Sequence, residues 1–147
     1  MRVQAYLFFD GRCEEAIEFY RTVFPIDEVM MMRFKDSPEP PPPGQMPPGS
    51  ENKIMHAYFR IGETEIMASD GFCAGKTAFE GFALSFIGKD STEAETVFNR
   101  LAEGGEIRMP MAKTFFSDSF GMVVDRFGLL WNVLAEPAQQ AEQGKTQ

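Results

Sequence analysis

The chain repeats itself. Displaced by 78 positions, Ala5, Phe8, Glu15 and Ala16 fall on Ala83, Phe86, Glu93 and Ala94, and Tyr20 falls on Phe98. Each copy reads as a short apolar strand, a polar turn and an amphipathic helix, then extended apolar-rich segments ending in a compact apolar run. Two half-modules of roughly 65–75 residues follow, and pseudo-twofold folds commonly build one binding cavity from both halves.

The local signals fill in that plan. Val3–Phe9 reads as a strand running into a turn at Asp10-Gly11. Apolar residues at 13, 16, 17, 20, 23 and 24 make one helical stripe, which Pro25 closes because it cannot continue the hydrogen-bond ladder. Ile26–Phe34 is the next strand. Ser37–Gly49 holds seven of the ten prolines and is expected to be an exposed loop. Lys53–Ile61 and Thr64–Ser69 are strands joined at Gly62-Glu63. In the first of them an apolar set, Met55, Ala57, Phe59 and Ile61, alternates with His56, Tyr58 and Arg60. In the second half, Phe82–Ile87 is a strand. Thr92 to Glu95 has capping-box spacing, with Ser91 a competing cap. Ala94, Val97, Phe98, Leu101 and Ala102 form the helical stripe, ended by Gly104-Gly105. Glu106–Phe116, Phe120–Asp125 and Leu129–Leu134 are strands. The order is β-α-β-β-β, twice. The expectation is a single domain over 1–137, with modules at about 1–72 and 80–137 and a flexible tail at 138–147.

Bulk properties exclude some classes. Fourteen basic against 22 acidic residues give a charge of −8, which argues against nucleic acid and against anionic membrane surfaces. No apolar run approaches a membrane-spanning length. Two cysteines, Cys13 and Cys73, make neither a disulfide framework nor a metal cluster, and the start lacks the features of a secretory signal. A cytoplasmic protein is expected.

Three groups of residues add a family resemblance. Tyr6-Leu7-Phe8-Phe9-Asp10-Gly11 with Cys13-Glu14-Glu15-Ala16 and Phe19-Tyr20 is one; Met55-His56-Ala57 and Ser69-Asp70 are another. Phe120-Gly121, Asp125-Arg126-Phe127-Gly128 and Trp131 complete the series. In this order they resemble PhnB-like proteins of the vicinal-oxygen-chelate superfamily, over residues 3–135. Some of these are labelled 3-demethylubiquinone-9 3-methyltransferase-like. The resemblance implies an α+β fold of paired βαβββ modules forming a cupped mixed sheet, of the glyoxalase/bleomycin resistance/dihydroxybiphenyl dioxygenase type, within a homodimer. A literal methyltransferase of the common kind needs a Gly-rich turn after a first parallel strand of a doubly wound sheet. No strand–Gly-x-Gly–helix unit occurs here.

Metal-using members of that superfamily draw ligands from the first and last strand of each module. Laid on this chain, the pattern falls on Ala5, Ala83, Ile66 or Met67, and Asn132. Alanine has no donor, and an amide is a weak oxygen ligand. No metal site is assigned, and a divalent ion would need an unorthodox set around His56 with Asp70, Asp118 or Glu65.

His56 is the only histidine, the residue type whose unperturbed pKa lies near neutrality. It reads either as a proton-transfer group or as a hydrogen-bonded structural histidine. Ser69-Asp70 and Ser117-Asp118-Ser119 read as turn caps before they read as site residues. Trp131 reads as core, with ring stacking on a planar ligand the alternative. Gln4, Tyr6 and Lys113 are further polar anchors. The functional expectation is a small apolar or aromatic molecule bound in an apolar cavity, with or without catalysis, contacted by Tyr58, Ser69, Asn132 and Trp131. The alternative is a metal-assisted or His56-dependent lyase or isomerase.

Overall fold

The computed structural model describes residues 1–137 apart from Pro40 and Pro43, so the expected tail at 138–147 lies outside the described residues. The chain divides into two compact units, Met1–Thr77 and the portion from Ala78 onward.

The first unit contains β1 (Tyr6–Phe8), α1 (Cys13–Val23), β2 (Ile26–Arg33), β3 (Ile54–Ile61) and β4 (Thr64–Ser69). Its sheet runs β1-β4-β3-β2, with β1 parallel to β4 and the other pairs antiparallel. Cys13, Ala16, Ile17, Tyr20 and Val23 turn the buried stripe of α1 onto one sheet face. There Tyr20 stacks on Phe59 at 6.0 Å and meets Phe9 at 6.2 Å. Burying each such side chain contributes about 1.5–3 kcal/mol. The helix ends at Val23 because Pro25 follows, as its position in the sequence demands.

The second unit repeats this with β5 (Leu84–Gly88), α2 (Ser91–Ala102), β6 (Glu106–Ala112), β7 (Phe120–Val124) and β8 (Leu130–Ala135). Its sheet order, β5-β8-β7-β6 with β5 parallel to β8, is that of the first unit. The α+β fold of two βαβββ modules is therefore present. Ala94, Val97, Phe98 and Leu101 of α2 are buried, as are Val123, Trp131 and Val133 of its sheet.

Most strand boundaries move by one or two residues from expectation, β5 running Leu84–Gly88 rather than Phe82–Ile87, and three shifts have a local reason. The cap of α2 is Asp90, whose carboxylate accepts from the Glu93 N–H at 2.8 Å. Glu93 in turn accepts from the Lys89 N–H at 3.4 Å, so the box lies upstream of Thr92 and Ser91. β6 stops at Ala112 rather than Phe116. Pro110 limits it to an edge, its register shifts between Met109 and Ala112, and the Thr114 hydroxyl oxygen accepts from the Phe116 and Ser117 N–H groups to make a turn. β1 is short because its pairing with β4 covers only Met67–Ser69.

Candidate functional site

Each sheet has a helix on one face; the opposite, open face carries Tyr6, His56, Tyr58 and Asn132. In the first unit the strand register sets side chains in rows. Met30, Tyr58, Met67 and Tyr6 lie across from one another through β2, β3, β4 and β1, and Met32 lies opposite His56. The Tyr6 hydroxyl is 3.0 Å from His56 Nδ1, and their rings lie 5.6 Å apart. The hydroxyl donates when the ring proton is on Nε2 and accepts when it is on Nδ1. Further along, Arg60 is ion-paired with Glu28, which holds its guanidinium above its ordinary pKa.

Ser69 has a different place. It is 2% exposed, and its hydroxyl oxygen accepts from the Gly71 N–H at 3.0 Å. Asp70 is equally buried and accepts from three backbone N–H groups, of Gly11, Cys13 and Ile54, at 2.7–2.8 Å. This pair ties the start of α1 to β3 and β4. Ser117 makes a local turn in the same manner, bonding Ser119 and Ala135.

In the second unit the row is Met109, Met122, Asn132 and Ser85, with Val124 opposite Leu130 in the next. Asn132 Nδ2 donates to Ser85 Oγ at 3.4 Å, while Asn132 Oδ1 is buried without a hydrogen-bond partner among the described residues. Trp131, one residue away, points to the other face. It is 3% exposed and its ring N–H donates to Asp125 Oδ2 at 2.9 Å. Pleat alternation places Trp131 in the core, the first of its two sequence readings. Asp125 also accepts from the Phe127 and Leu129 N–H groups, pinning the β7–β8 turn.

A cavity of about 530 Å³ lies on this open face. Met122, Val124 and Leu130 of the sheet line it together with Phe79, Phe82 and Arg108. Glu80 adds a carboxylate at its wall. The volume falls in the range of small-molecule sites, which are mostly apolar with few polar groups. Phe79, Phe82 and Ser85 were not singled out from the sequence. A paired Phe-x-x-Phe before a strand and a lone hydroxyl within an apolar strand were the available signals.

The superfamily's metal positions fail a donor test. Met67 takes the open-face position, since Ile66 is buried against the helix side opposite Phe59. Two alanines, a thioether and an amide do not suit a hard divalent ion. Among the described residues no three His, Cys, Asp or Glu side chains cluster.

Neither thiol is activated. Burial pushes Cys13 far above the ordinary thiol pKa, with the nearby Asp70 charge adding to it, and burial also raises Cys73. A thiol-reactive dye is expected to modify Cys73 slowly and Cys13 only after denaturation. Rapid modification of both in the native protein would contradict this packing.

The fold, with its two like-built sheets, is of the glyoxalase/vicinal-oxygen-chelate type. Residues 1–134 match the family model described as 3-demethylubiquinone-9 3-methyltransferase, and the chain belongs to that family, in its PhnB-like branch. Protein YjdN of Escherichia coli is 33% identical over 90% of this chain and 94% of its own length. A solved structure from Pseudomonas aeruginosa is 38% identical, covering 93% of this chain and 98% of that one, with a TM-score of 0.78. A Bacillus cereus structure titled as PhnB protein is 27% identical over 92% and 99%, with a TM-score of 0.71. The fosfomycin resistance protein FosX of Listeria monocytogenes shares the fold at 13% identity, over 95% and 96%, with a TM-score of 0.62.

Proposed function

We propose that this protein binds a small, largely apolar or aromatic molecule against the open sheet face of its second unit. The observation that carries the reading is the 530 Å³ cavity lined by Phe79, Phe82, Met122, Val124 and Leu130. A phenyl-sized body fits such a lining, and the chain's net charge of −8 disfavours anionic ligands. The working form is a cytoplasmic homodimer. Exposed apolar side chains on edge strands support a partner copy: Phe8 on β1, Ile87 on β5, and Ile107 and Met109 on β6. Its two free cysteines suit a reducing compartment. No helix among the described residues is long and apolar enough to cross a membrane.

One observation favours a second reading. The Tyr6–His56 contact on the open face of the first unit supplies a hydrogen-bonded imidazole able to take or give a proton. If that pair works catalytically, His56→Ala abolishes a turnover while leaving ligand affinity intact.

Native mass spectrometry of protein purified without added metal tests the primary reading. The expected result is a dimer that retains a small organic molecule, released on denaturation, or that takes up an added aromatic compound at one per chain. Near-stoichiometric divalent metal, with a turnover lost on its removal, would displace this reading in favour of a metal-assisted enzyme.

A further inference from the structure

We infer that the Ser85–Asn132 pair selects ligands bearing a cis-amide edge, as in a lactam, an imide or a primary carboxamide. The inference rests on the small-molecule reading above and narrows it to a chemical class. Ser85 and Asn132 are register partners on β5 and β8, and Asn132 lies opposite Met122, which lines the cavity. Leu130, two residues along the same strand and face, lines it as well. Two residues of strand advance about 6.8 Å, so the pair sits at the cavity's margin within the span of a two-ring ligand.

The hydrogen-bond ledger of the pair fixes what it can take. Nδ2 of Asn132 donates to the Ser85 oxygen, which leaves the serine proton free to donate and Oδ1 of Asn132 without a donor. The opposite amide orientation has the serine donating to Oδ1, and then Nδ2 is the free donor and the serine oxygen the free acceptor. Either way the pair offers at least one donor and one acceptor side by side. A planar group with an adjacent N–H and C=O answers both. A lone carbonyl or an ether answers one.

Access does not require backbone movement. Asn132 is half-buried rather than enclosed, and the terminal torsion of an asparagine is soft, so turning the amide brings its orphaned oxygen to the open face. Carboxylate ligands are the weaker match. Arg108, the one cation lining the cavity among the described residues, is ion-paired with Glu106 at 3.5 Å, and Glu80 adds negative charge to the wall. A neutral edge meets no such repulsion.

The test compares 2-quinolinone, its N-methyl derivative and quinoline-2-carboxylate by titration into the full-length protein, monitored by NMR. 2-Quinolinone is expected to bind about tenfold more tightly than the N-methyl compound, the worth of one lost hydrogen bond that leaves a buried group unsatisfied. The carboxylate is expected to bind weakest. Asn132→Leu should erase the preference while keeping affinity for the N-methyl compound, and Ser85→Ala, a milder change, should reduce it. Equal affinity of the wild type for the first two compounds, or a preference that survives Asn132→Leu in folded protein, overturns the amide-edge inference and leaves the cavity reading intact. Failure of all three to bind overturns both.

Discussion

Replacing Asp70 with alanine is expected to destabilise the first unit by about 3–5 kcal/mol. The carboxylate is 1% exposed and accepts from Gly11, Cys13 and Ile54 N–H groups that nothing else within reach replaces. Each buried N–H left unsatisfied costs about 1–3 kcal/mol, with some relief as the site relaxes or admits water. Asp70→Asn keeps one acceptor oxygen but turns an NH₂ towards N–H donors, so it should lose less than alanine but more than a surface change. Urea unfolding followed by circular dichroism reads both midpoints. An alanine variant within about 1 kcal/mol of the parent would mean that these three bonds do not hold α1 to the sheet.

The second large effect lies at Gly105. A Cβ there would sit 2.1 Å from the Val124 carbonyl oxygen and 3.1 Å from the Asp125 backbone, both fixed by the β7 ladder and the turn after it. No side-chain rotation relieves a clash with backbone. Gly105→Ala is therefore expected to cost about 3 kcal/mol, the upper end for overpacking. Gly104→Ala is the useful comparison. It is strained by its φ of +75°, but its nearest neighbours are atoms of the Arg126 side chain, which can move. A loss of about 1 kcal/mol is expected there. The reverse ranking in thermal or urea unfolding would show that the close approach of the α2–β6 turn to β7 is wrongly placed.

Comparing these residues shows what sequence patterning can reach. Periodicity located both helices and every strand, because amphipathic stripes such as Cys13-Ala16-Ile17-Tyr20 must bury one face whatever the tertiary context. The repeat itself carried the topology, and both sheets obey the same order. Element ends were less legible. The end of β6 depends on a hydroxyl at Thr114 reaching two and three residues ahead, and the start of α2 on which of three neighbouring capping residues wins.

The site was read less completely, for a physical reason. Alternation correctly put His56 and Tyr58 on one face, but strand register decides who faces them, and register is a non-local property. Thus the Tyr6–His56 contact and the Ser85–Asn132 bond emerge only with the pairings of β1, β3 and β4 and of β5 and β8. Trp131 and Asn132 were grouped together, although adjacent residues in a strand cannot share a face. Ser69 reads as a turn cap before it reads as a ligand contact, and its oxygen accepts from the Gly71 N–H as such a cap does. The cavity wall draws on Phe79 and Phe82, which precede β5; patterning extends that strand back to Phe82, whereas it starts at Leu84.

The open-face methionines provide the most direct test. With ¹³C-labelled methyl groups on methionine, addition of 2-quinolinone is predicted to shift Met122, which lines the cavity, while Met1 and Met46, which belong to neither sheet and do not line it, stay still. Saturating shifts at Met122 with one molecule bound per chain would match the proposed ligand face. Saturable binding that leaves Met122 unmoved, or shifts confined to Met1 and Met46, would contradict it.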